Sequence, residues 1–105
     1  MTDVLTYIQK QQYAFWLNII SDVNFHPDNY PDDDNDKIPI FSDPDRLNGL
    51  KLEIVDIVQE YTSFKAQKHA FIEIASSEDY DLGSEMIIRV VIVKCKKDFL
   101  HLWSI

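Results

Sequence analysis

The feature that most constrains folding is the run from Met86 to Lys94, in which Met86, Ile87, Ile88, Val90, Val91, Ile92 and Val93 are apolar and only Arg89 interrupts. Apolar density of that kind needs cover on both sides, which is the signature of a central strand. The flanking segments are read to match. Ala70 to Ala75 makes a second strand, ended by the turn formers of Ser76 to Ser84. Phe99 to Trp103 makes a third, because Phe99, His101 and Trp103 fall on one face while Leu100 and Leu102 fall on the other. Cys95, Lys96, Lys97 and Asp98 are then the tight turn between the last two strands, with Cys95 as a small apolar filler.

The first half carries helical spacing instead. Val4, Leu5, Ile8, Phe15, Trp16, Ile19, Ile20 and Val23 recur at steps of three and four, which predicts a helix over about residues 3–22 capped by Thr2 or Asp3. Tyr13 to Leu17 is apolar over more than one stripe, so this helix is expected to be covered on two sides. A second helix starts at Ser42, Asp43, Pro44 and Asp45, where Ser42 caps and Asp45 closes the reciprocal box. It continues along Leu47, Leu50, Ile54, Ile57, Val58, Tyr61 and Phe64, with Lys65, Lys68 and His69 suited to its negative end. The rival reading is a strand from Leu50 to Val58, whose β-branched residues favour it. The expected fold class is therefore α+β: two helices packed on a small antiparallel sheet of three strands, or four if residues 50–58 join it.

Residues 1–105 fit one domain, since a chain of this size buries about two-thirds of its unfolded surface around one core. The helices are joined by residues 24–41, where periodicity stops and turn formers and acids take over. An exposed acidic loop is expected there. It is longer than compact domains usually tolerate without a role. Asp28, Asp32, Asp33, Asp34 and Asp36 give it charge, and Phe25, Tyr30 and Phe41 give it apolar anchors.

Charge narrows the partners. Eighteen acids against ten bases leave a net charge of −8, a field that repels nucleic acid and anionic membrane and attracts basic protein. No stretch has the roughly 20 apolar residues of a spanning helix, and no leader of signal-peptide type opens the chain, so a cytoplasmic setting is expected. One cysteine makes no disulfide framework.

Chemistry-bearing patterns are sparse. Asp32, Asp34 and Asp36 have the one, three, five spacing of a calcium loop, but Lys37 stands where the glycine belongs and Asp43 where the long glutamate belongs. His26, His69 and His101 are scattered, and Cys95 with His101 alone could meet across the last turn, too few ligands for zinc. With Gly49 and Gly83 as its two glycines the chain has no phosphate-cradling loop, and no serine sits in a nucleophile elbow. The expectation is of no catalytic residue, no metal and no cofactor.

The leading functional expectation is a small acidic inhibitor or immunity-type protein that occludes a basic surface of a partner, such as the cleft of a nuclease toxin. In it the five aspartates steer the encounter, and Tyr30, Phe25 and Phe41 serve as anchors. A DNA-mimic inhibitor is the first alternative, with Glu53, Asp56 and Glu60 as a phosphate-like row. A homodimeric structural or adaptor domain joined through the apolar sheet is the second. A ligand-binding or enzymatic domain with a pocket lined by His101, Arg89 and Glu73 is the third.

Overall fold

The computed structural model of the chain describes residues 5–25 and 43–103, without the side chains of 24, 25 and 97–103. Over those residues it contains four helices and no strand: α1 (Tyr7–Phe25), α2 (Pro44–Glu60), α3 (Phe64–Ala75) and α4 (Ser84–Trp103). The α+β expectation is overturned.

Local chemistry sets where the helices begin. Thr6 Oγ1 accepts from the Gln9 amide at 3.2 Å while Gln9 Oε1 accepts from the Thr6 amide at 2.9 Å, a reciprocal box that starts α1 four residues later than Thr2 would and three later than Asp3 would. At α2 the cap is Asp43, whose carboxylate accepts from the amides of Asp45 and Arg46, and Pro44 follows in the first turn, where its missing N–H costs nothing. Ser63 caps α3 by accepting from the Ala66 amide. Gly83 lies just before α4 with φ 82°, a left-handed conformation open to glycine.

Each expected strand proves to be helical. Ala70 to Ala75 belongs to α3, whose Gln67, Phe71 and Ala75 point inward at four-residue steps. Met86 to Lys94 belongs to α4, with Ile87, Val90 and Val91 buried and Ile88, Ile92 and Val93 turned outward. A β-branched residue in a helix costs only about half a kcal/mol, whereas burying each of the inner three contributes about 1.5–3 kcal/mol. Residues 95–98 do not turn, because neither glycine nor proline occurs after Gly83 and nothing stops the helix. Phe99 to Trp103 is the last part of α4. The rival strand at residues 50–58 is likewise absent, for Leu50, Ile54, Ile57 and Val58 form one inward helical stripe.

The long second helix is corrected too. It breaks at Tyr61, which takes extended backbone at φ −115° and ψ 128°, and Ser63 begins α3. The break is held from within. Gln67 Nε2 donates to the Tyr61 carbonyl at 2.7 Å and to Gln12 Oε1 at 3.2 Å, and Gln67 Oε1 accepts from Trp16 Nε1 at 2.9 Å. Gln67 is wholly buried, and all its hydrogen-bonding groups are thereby satisfied.

Around this network the aromatic core assembles. The Trp16 ring stacks on Phe71 at 4.8 Å and on Phe64 at 5.8 Å, with Phe15 edge-on at 5.1 Å. Of the Tyr13 to Leu17 cluster, Phe15 and Trp16 are buried, Tyr13 and Leu17 half-buried and Ala14 exposed. α1 packs against α2 and α4, and α3 packs against the same two, which places α2 and α4 at opposite corners of the bundle. Gln9 Nε2 donates to the Val58 carbonyl, so the start of α1 lies at the end of α2 and the two helices run antiparallel. Lys94 Nζ meets Asp22 at 3.1 Å and ties α4 to α1.

Candidate protein-binding surface

The inward stripe of α2 leaves the opposite side of the helix to carry whatever the solvent face requires. Asp45, Asn48, Leu52, Glu53, Asp56, Gln59 and Glu60 are exposed there at helical steps, four acids with no lysine or arginine among them. Leu52 stands in the middle of the row with 68% of its surface open, one turn before the exposed Asp56.

The acidic row is extended by the connection between α3 and α4. Arg46, on the first turn of α2, donates from Nη2 to the Tyr80 carbonyl at 2.7 Å and from Nε to the Asp79 carbonyl at 3.2 Å. These charge-assisted bonds hold the loop that carries the exposed Glu78, Asp79 and Asp81 against the start of α2. Arg46 thus serves the loop backbone. Gly49 permits the approach, since a Cβ there would come within 2.9 Å of the Tyr80 hydroxyl. Partial burial raises the Tyr80 pKa above its ordinary 10, and the carboxylates of Glu53 and Asp79 raise it further, against a lowering by Arg46. Tyr80 therefore senses both α2 and the loop.

Of the residues singled out from sequence, Asp28, Tyr30, Asp32, Asp33, Asp34, Asp36 and Phe41 lie outside the described residues, as does the side chain of Phe25, the last residue of α1. Glu53, Asp56 and Glu60 are brought together on α2 as the sequence row implied. Sequence reasoning missed Asp45 and Leu52 as members of that face and missed the loop acids beside it. The signal for the first two was present in the three- and four-residue spacing. The signal for the loop was not, because Arg46 reaches it across more than thirty residues of chain.

The remaining candidates are dispersed. Glu73 and His69 are exposed on α3, while Arg89 lies on the outer side of α4, paired with Glu85 at 3.5 Å. Cys95 and His101 share one helix instead of flanking a turn, and Cys95 packs half-buried against the core. Among the described residues no group of three or more His, Cys, Asp or Glu side chains is placed to hold a metal ion. No helix among them is long and apolar enough to cross a membrane.

Comparison of the chain with protein-family models, with curated proteins and with solved structures gives no match.

Proposed function

We propose that the chain is a small acidic protein-binding protein, of inhibitor or immunity type, that covers a basic surface of a partner such as a nuclease cleft. The observation that carries this reading is the outer face of α2, where Asp45, Glu53, Asp56 and Glu60 are exposed along the same helix as the exposed Leu52. Carboxylates on a helix need no reorganisation to meet lysines and arginines, and a protruding leucine among them supplies the desolvated contact that charge alone does not. The five aspartates between residues 28 and 36 stand on the segment that leads into α2 and add to the net charge of −8 that steers an encounter.

The test is affinity capture from the native lysate with the wild-type chain and with a variant carrying Asp45→Asn, Glu53→Gln, Asp56→Asn and Glu60→Gln. A basic protein retained by the first and lost by the second supports the reading; equal retention of that protein by both sinks it. A DNA-mimic reading is favoured by one feature, the row Glu53, Asp56 and Glu60 on a rigid helix. It predicts in addition that duplex DNA competes for the captured partner.

A further inference from the structure

Five large apolar side chains stand out from the surface of the described residues, and three of them, Ile88, Ile92 and Val93, share one face of α4. At 100° per residue the exposed positions Glu85, Ile88, Arg89, Ile92, Val93 and Lys96 fall in a single sector, and Ile87, Val90, Val91, Lys94 and Cys95 fall in the opposite one, toward the core, α1 and α3. Nothing within the described bundle covers the outer sector. An aliphatic stripe of this kind on a surface marks an association site.

The charges on that face indicate what covers it. Glu85 stands at the N-terminal end of the stripe, Arg89 within it and Lys96 at its C-terminal end. Parallel pairing with a second α4 would set Glu85 on Glu85, Arg89 on Arg89 and Lys96 on Lys96, three like-charge contacts. Antiparallel pairing about a twofold axis between positions 90 and 91 does the reverse. Glu85 of each copy then faces Lys96 of the other, Ile88 faces Val93, and the Arg89 stem lies over Ile92.

We propose that the outer face of α4 is a homodimer interface in which two copies of this chain pack their α4 helices antiparallel, closed by two Glu85–Lys96 pairs. The seam from 85 to 96 is about 16 Å long, which is less than a standard interface needs, so the dimer is weak, with a dissociation constant on the order of 100 μM. Because α2 lies at the opposite corner of the bundle, dimerisation leaves both acidic faces open. The proposal stands independently of the partner proposed for α2.

The test is sedimentation equilibrium of the full chain from about 10 μM to 1 mM in physiological salt. The wild type is expected to show a monomer–dimer equilibrium. Glu85→Lys and Lys96→Glu are each expected to weaken it about tenfold, and the double charge swap is expected to restore it to within about threefold. Glu85 is 84% exposed and Lys96 is also exposed, so the fold is kept, which circular dichroism checks. Three results overturn the proposal: a monomer at every concentration; a double variant no tighter than the singles; or a Glu85→Lys chain that associates more tightly than wild type. The last would mean that α4 meets an acidic surface, such as α2 of a neighbouring copy head to tail.

Discussion

α2 and α4 solve the same packing problem on their inner faces and differ completely on their outer ones. Inward, Leu50, Ile54, Ile57 and Val58 of α2 and Ile87, Val90 and Val91 of α4 are aliphatic side chains at helical steps, sealed against α1 and α3. Outward, α2 carries four acids and one leucine, and α4 carries three aliphatics among Glu85, Arg89 and Lys96. The bundle asks nothing of either outer face beyond solvation, and the contrast between them is what the two proposals rest on. The acidic face suits a charged partner; the aliphatic face suits a second copy of itself.

The largest effects that would break the comparison lie beneath both helices. Gln67→Leu should destabilise the fold by about 3 kcal/mol in urea unfolding, because it removes the buried hydrogen bonds to Trp16 and Gln12 and the part-buried one to the Tyr61 carbonyl. A smaller loss would mean that water replaces the amide. Next, Ile54→Ala and Ile87→Ala should each cost about 3 kcal/mol, whereas Leu52→Ala and Ile92→Ala should change stability by no more than about 0.5 kcal/mol. If the outer truncations cost as much as the inner ones, those faces belong to the fold and not to association.

Smaller effects sharpen the picture of the acidic side. In a Tyr80→Phe background, which removes the hydroxyl facing Gly49, Gly49→Ala should raise stability by up to about 1 kcal/mol through helix propensity, and in the wild type by clearly less. Thermal melts of the four chains compare them directly. The slightest change concerns Tyr80 itself. Its pKa is raised in the folded protein, so the unfolded chain loses this proton first, and the linked stability is intact below about pH 10 and falls as pH rises from there through the folded value. Glu53→Gln should bring the Tyr80 pKa down, followed by NMR of ring-labelled tyrosine; no movement would detach Tyr80 from the field of α2.

Several of these relations could be read directly from residue order. The stripe of α1, the inner stripe of α2, the proline-led start of α2 and the turn at residues 76–83 all rest on contacts within a few residues, which local spacing records. The run from Met86 to Val93 did not yield to the same reading. Its density implies cover on more than one side, and a strand between helices or a helix between core and partner satisfies that equally. What distinguishes them is the stretch without a breaker from Ser84 to the end of the chain, too long for a strand and ample for a helix. The break at Tyr61 was hidden for another reason, since it depends on Gln67 meeting Gln12 and Trp16 from a distant helix.

The sequence by itself determined the net negative charge, the apolar stripes of α1 and α2 and the start of α2, because charge is additive and caps and periodicity act over a turn or two. Tertiary structure alone decided that the described elements are helices around Trp16 and Gln67, that the loop after α3 joins the acids of α2, and that α4 leaves three aliphatic side chains outside. Those outcomes depend on which faces meet across the bundle, and a face is buried only relative to its neighbours.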